Sequence, residues 1–106
     1  MTSDLAEVHE RVDVLGPVVT IQGYADEDEA VARANDSAYE LRGAVWSSDP
    51  DRALAAVRQL RTGQVDVDGA PFNPAAPVGG YGRSGKGREL GRDGVEESLD
   101  SRSVRL

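Results

Sequence analysis

Cysteine is absent from this chain. Disulfides, thiolate metal sites and a cysteine nucleophile are therefore excluded on its 106 residues. Histidine occurs once, at His9 in a polar lead-in, and a metal site needs several ligands at set spacings, so His9 reads as a solvated side chain. Aromatics are 5% of the chain, and Tyr24, Tyr39, Trp46, Phe72 and Tyr81 are scattered without forming a stripe. No apolar run approaches the ~20 residues of a spanning helix, so no membrane span is expected. Residues 1–16 lack the continuous apolar stretch of a secretory leader, which makes the cytoplasm the default compartment. Basic residues are outnumbered, 12 against 19 acidic, and the net charge of −7 disfavours nucleic acid or an anionic membrane as partner.

Proline and glycine are concentrated in one stretch, Ala70 to Gly91, APFNPAAPVGGYGRSGKGRELG. Such a run cannot be a regular helix or strand, and a loop of this length is either functional or disordered. The rest reads as one domain at most, which at this size buries roughly 65% of its unfolded-chain surface. Pro17 to Tyr24 has β-branched residues on both faces and reads as a covered strand. Asp26 with Glu29 forms a capping signal for a helix from Glu27 to about Asn35. Leu41 to Ser47 reads as a second strand, weakened at Gly43. Asp49-Pro50 opens a helix to Arg61 with Ala53, Leu54, Val57 and Leu60 on one stripe, and Gly63 suits the position beyond its end. Gln64 to Asp68 alternates as a third strand. The order strand, helix, strand, helix, strand argues for an α/β fold with a parallel sheet. After the loop, Leu90 to Leu99 reads as a short helix weakened by Gly91 and Gly94, and Leu99 to Leu106 as a terminal strand.

Each candidate for chemistry has a plain structural reading beside it. Gly80, Gly82 and Gly85 spell GxGxxG, but they follow a Pro-rich loop instead of a strand, and no acidic residue closes a second strand ~20 residues on. The run Asp26, Glu27, Asp28, Glu29 could attract a cation, yet helix capping accounts for it. Arg83, Lys86 and Arg88 could hold an anion against loop N–H groups, although solvated loop charges are the commoner case. Ser84 has no nucleophile elbow around it.

Taken together, the segments resemble the C-terminal part of the aldehyde dehydrogenase superfamily over about Val12 to Leu106. The matching pieces are Leu15-Gly16-Pro17-Val18, Asp28 to Val31 with Ala34-Asn35-Asp36, Gly43 to Trp46, Asp51 to Leu54, Arg61 to Val65 and, most specifically, PVGGYGRSGKGRELG from Pro77 to Gly91. The resemblance implies NAD- or NADP-dependent oxidation of aldehydes to acids in the full-length family, through a cysteine adduct and a glutamate base. It implies a single partial domain over residues 1–106, with a parallel β-α-β-α-β core, the long loop, and an oligomerisation strand at about 99–106. The cysteine, the base and the cofactor domain would lie on sequence this chain does not contain, so no cofactor is expected to bind it alone. Where the family contacts the cofactor with glutamate and phenylalanine, this chain has Asp13 and Leu15, a shorter carboxylate and a lost aromatic face. Asp68 stands where the family usually has asparagine. Ala70 to Val78 corresponds to the aldehyde entrance, with Phe72 its bulkiest residue and Val78 in place of a common phenylalanine. The expected partners are further copies of the chain or a chain supplying the missing domain.

Overall fold

The structure, a computed structural model, describes residues 16–17 and 19–106. Helix α1 (Glu27–Asn35) starts where the sequence places it: the Asp26 carboxylate accepts the Glu29 N–H at 2.8 Å. Glu29 reaches back to the Ala25 N–H at 2.7 Å and forward to Arg33, which lies one turn on. These bonds satisfy donors that a helix start leaves unpaired. Strands β1 (Tyr39–Glu40) and β2 (Arg42–Val45) follow, separated by a bend at Leu41. Helix α2 (Pro50–Val57) is capped by Asp49, whose carboxylate accepts from Asp51 and Arg52. Glu27 and Arg52 pair across α1 and α2. Strand β3 (Gln64–Val67), strand β4 (Tyr81–Gly82) and the short helix α3 (Gly91–Glu96) complete the element order.

The β2-α2-β3 unit is the expected parallel crossover: Arg42 to Val45 pair in register with Gln64 to Val67. β1 pairs antiparallel with β4, so the end of the long loop is tied beside the start of β2. Helix α2 ends four residues before the expected Arg61. Its last turns tighten, with Gln59 N–H on Ala56 and Leu60 N–H on Val57. The cause is Asn35, whose side chain donates to the Gln59 carbonyl and accepts the Arg61 N–H, both at 2.8 Å. A continued helix would use those two backbone groups itself. Gly63 is likewise needed for another reason than closing a helix. A Cβ there would stand 1.5 Å from the Gly79 carbonyl oxygen, so the loop can lie on β3 only over a glycine.

Two expected strands are not formed. Across the described part of Pro17–Tyr24 there is no strand pairing, and Val19 and Ile21 are 85% and 94% exposed. Residues 99–106 are also without strand pairing, with Leu99, Val104 and Leu106 exposed. Their β-branched and apolar residues fit a covered strand, but a strand needs a neighbour for its ladder. Among the described residues the parallel sheet stops at two strands, β2 and β3.

The core is correspondingly thin. Among the described residues only Ala53 and Gly80 are buried. Trp46 remains exposed just beyond the end of β2.

Candidate functional site

The loop after β3 begins at Asp68 and Gly69, with φ of +50° and +71°. Asp68 donates its N–H to Val45 and its carboxylate accepts the Ser47 N–H at 2.9 Å, fixing the exit of β3 against the end of β2. Asparagine tolerates the same left-handed geometry and offers the same acceptor, so aspartate keeps this role. Asn73 then turns the chain by accepting the Ala75 N–H on its side chain and the Ala76 N–H on its carbonyl. Val78 and Glu89 exchange two backbone bonds of 2.7 Å, closing the segment between them into one ring of chain. Gly91 N–H bonds Pro74, which ties the far end of the loop to its beginning.

Inside that ring Arg88 acts as a staple. Its guanidinium donates to the carbonyls of Gly80 and Gly87 at 2.9 Å and of Lys86 at 3.4 Å. It also lies over the Tyr81 ring, 5.1 Å from the centroid. Ser84 accepts the Glu40 N–H at 2.9 Å, and Arg83 sits 5.6 Å from the Tyr39 ring centroid while its N–H bonds Ala38. Every tie on this side reaches residues 38–41, so β1 is the anchor of the loop. Leu90 closes it at φ +62°, ψ 172°, a conformation that suits glycine and costs other residues of order 1–3 kcal/mol.

The glycine motif is part of this fabric. A Cβ on Gly80 would stand 2.5 Å from Ser84 Cβ, and Gly82 takes φ +55° close against Ala38 and Glu40. The Ser84 and Gly85 N–H groups bond Tyr81 and Gly82 within the turn. A dinucleotide cradle needs such N–H groups pointing outward at a helix start. The glycine motif therefore does not form a dinucleotide cradle. The three basic residues do not converge on an anion either, since Arg88 is engaged with carbonyls and Arg83 with Tyr39. Among the described residues there is no cluster of His, Asp or Glu able to hold a metal, and the run at Asp26 is used in capping and in the Glu27–Arg52 pair. His9, Asp13 and Leu15 lie outside the described residues.

Phe72 projects from the loop with 62% of its surface exposed. Val78 is half-buried and lines an open concavity of about 460 Å³ with Leu41, Ser84, Arg88 and Glu97. Phe72 is not part of that lining. A second concavity, of about 320 Å³, opens between α1, α2 and the end of β2, among Val31, Ala34, Val45, Trp46, Ala53 and Leu60. Ser84, Arg88 and Asn35 carry the positioning and were not legible as such. Ser84 and Asn35 meet backbone groups more than twenty residues away, and Arg88 meets carbonyls that its own turn brings round, which no local spacing announces.

Three groups are shifted by hydrogen bonds and ion pairs. Hydrogen bonds from Arg42, then Gln64, hold the Asp66 carboxyl below the usual carboxylate range. The Ala25 N–H and then Arg33 lower Glu29, and the Glu27 carboxylate raises Arg52. All three serve the scaffold of helices and strands, not the loop.

The family model for the aldehyde dehydrogenase family matches residues 6–104. A 3-succinoylsemialdehyde-pyridine dehydrogenase from a Pseudomonas species is 48% identical over 94 residues, 89% of this chain and 20% of that protein. The betaine aldehyde dehydrogenase of Bacillus subtilis is 43% identical over 96% of this chain and 21% of its own length. Among solved structures, a variant of the betaine aldehyde dehydrogenase of Staphylococcus aureus superposes with a TM-score of 0.82 at 47% identity, covering 87% of this chain and 19% of that one. An aldehyde dehydrogenase of Mycobacterium tuberculosis, solved with NAD+, gives a TM-score of 0.67 at 44% identity over 70% of this chain and 15% of its own. The chain thus spans about a fifth of the length of the curated relatives it matches.

Proposed function

The chain belongs to the aldehyde dehydrogenase family, and from that premise we propose that it is a C-terminal segment that shapes the aldehyde entrance and is inert alone. The carrying observation is the loop from Ala70 to Gly91, fixed backbone-to-backbone on β1 and β3 in a chain without cysteine. A family enzyme attacks its aldehyde with a cysteine thiolate and passes hydride to NAD or NADP. This segment supplies neither. Its contribution is a wall: Phe72 and Val78 would meet substrate, and Val78 offers less bulk than the phenylalanine common in the family. Asp13 and Leu15 would face the nicotinamide end of a cofactor held by other sequence. The relatives act on chemically different aldehydes, so the substrate does not follow from kinship. We place the protein in the cytoplasm, without nucleic-acid or membrane partners. Among the described residues no helix is long and apolar enough to cross a membrane.

The test is direct. The purified chain, incubated with NAD or NADP and a panel of aldehydes, gives no absorbance at the reduced-nicotinamide band. Reproducible turnover would overturn the reading. A second reading, an interaction module that oligomerises, is favoured by the exposed Leu99, Val104 and Leu106 at the segment matching the family's subunit-pairing strand. Light scattering that stays monomeric over a wide concentration range would count against it.

A further inference from the structure

Resting on the entrance reading, we propose that the arm of the loop from Ala70 to Pro77 selects aldehydes whose substituent is uncharged and apolar, and discriminates against cationic and anionic ones. The first observation is compositional. Charged residues make up 29% of the chain, yet none stands from Gly69 to Gly82. The arm reads Ala-Pro-Phe-Asn-Pro-Ala-Ala-Pro, and its one polar side chain, Asn73, has its Oδ1 on the Ala75 N–H at 3.0 Å. Pro71, Phe72, Pro74, Ala75 and Pro77 are exposed, Phe72 at 62%. The side chains that the arm offers a substrate are ring and methyl carbon.

The second is where the neighbouring charge goes. At the start of the arm the Asp68 carboxylate accepts the Ser47 N–H. Beyond its end Arg83 lies over Tyr39 and Arg88 over Tyr81, at 5.6 and 5.1 Å from the ring centroids, and Arg88 also holds the loop carbonyls. Arg88, Glu89 and Glu97 line the concavity at Val78, which Phe72 does not join. Cages of several rings hold quaternary cations, but both of these tyrosines already carry an arginine, and Phe72 is a single ring. The third is stiffness. Pro71, Pro74 and Pro77 fix φ at every third position, the Asn73 carbonyl accepts the Ala76 N–H, and the Pro74 carbonyl accepts the Gly91 N–H. An arm held in this way does not swing an ion toward the substrate. A charged substituent pressed against it loses water and gains no partner, whereas an apolar one leaves water favourably.

Phe72 is the only phenylalanine, so 4-fluorophenylalanine labels this arm alone. The labelled chain is titrated with 4-methylbenzaldehyde, with the anion 4-formylbenzoate and with the cation 4-trimethylammoniobenzaldehyde, and the fluorine resonance is followed. The neutral aldehyde should move it at a concentration about tenfold below that needed of either ion. An equal or stronger response to an ion, or no response to the neutral aldehyde, overturns the proposal. The second measurement grafts Ala70 to Pro77 onto the matching positions of the full-length betaine aldehyde dehydrogenase of Bacillus subtilis. It compares betaine aldehyde with 3,3-dimethylbutanal, an uncharged aldehyde of the same shape. Relative to the parent enzyme, kcat/KM for the neutral aldehyde over the cation should rise about tenfold or more, and Ala75→Asp in the graft should return it toward the parent value. A graft that changes kcat/KM for both aldehydes alike overturns the selectivity and keeps the entrance reading. A folded graft that leaves both untouched overturns the entrance reading, and the proposal with it.

Discussion

The loop from Ala70 to Gly91 and the segment from Glu97 to Leu106 are separated in sequence by α3 and differ in what holds them. The loop contains the residues least suited to regular structure, yet its backbone is bonded to β1, to β3 and to itself: Val78 with Glu89, Gly91 with Pro74, Arg83 with Ala38. The terminal segment holds apolar residues fit for a strand and is left exposed, Val104 at 73% and Leu99 at 65%. Order here follows the location of hydrogen-bond partners more than local propensity. The loop's partners are on this chain. Those of the terminal segment, and of Val19 to Ile21, are not among the described residues.

That contrast can be broken from the loop side. The largest effect is expected of Gly63→Ala, because the added Cβ would overlap the Gly79 carbonyl. It should lift the loop off β3 at a cost of about 3 kcal/mol, read as lost exchange protection at the Val78 and Glu89 amides, with α1 untouched. Arg88→Ala should cost about 2 kcal/mol, since it strips charge-assisted bonds from three carbonyls. Its signature is disorder confined to residues 79–88, and Arg88→Lys should restore part of the loss, because all three bonds leave one guanidinium nitrogen and an ammonium also carries its donors on one nitrogen. Asn35→Ala should cost about 1 kcal/mol by freeing the Gln59 carbonyl and the Arg61 N–H. The chain should then extend α2 toward Arg61, visible as added helix shifts at Arg58 to Leu60.

The smallest effect is the pH dependence of the Arg42–Asp66 pair. Asp66 is held below its unfolded value, so its contribution is present above that value and disappears as pH falls through the folded one. Asp66→Asn should flatten this acid limb without altering the loop. Exposed pairs are weak and screened by salt, so an acid limb that survives in Asp66→Asn would assign it elsewhere.

Much of the scaffold was legible because its signals are local. Asp26 and Asp49 cap the helices that follow them, and the β2-α2-β3 crossover follows from alternation, stripe and right-handed connection. What escaped is long-range. The end of α2 is set by Asn35, more than twenty residues earlier, and the need for glycine at position 63 is set by a loop that arrives sixteen residues later. The strand expectation at Pro17–Tyr24 failed because burial pattern records the surroundings a sequence is suited to, and the described residues do not supply them. At the site, the glycine motif follows a Pro-rich loop in the sequence, and its N–H groups close the turn on Tyr81 and Gly82. The roles of Arg88 and Ser84 depend on β1 and on carbonyls brought round by the turn, which no spacing rule encodes.

Residue-resolved hydrogen exchange on the chain alone tests most directly whether the loop is self-determined while the strand-like flanks await partners. The Gly63, Val78, Arg83 and Glu89 amides should be protected together, and those of Ile21 and residues 101–106 should exchange as in an unstructured peptide. Protection of the flanks in a monomer, or free exchange at Val78 and Glu89, would contradict the account.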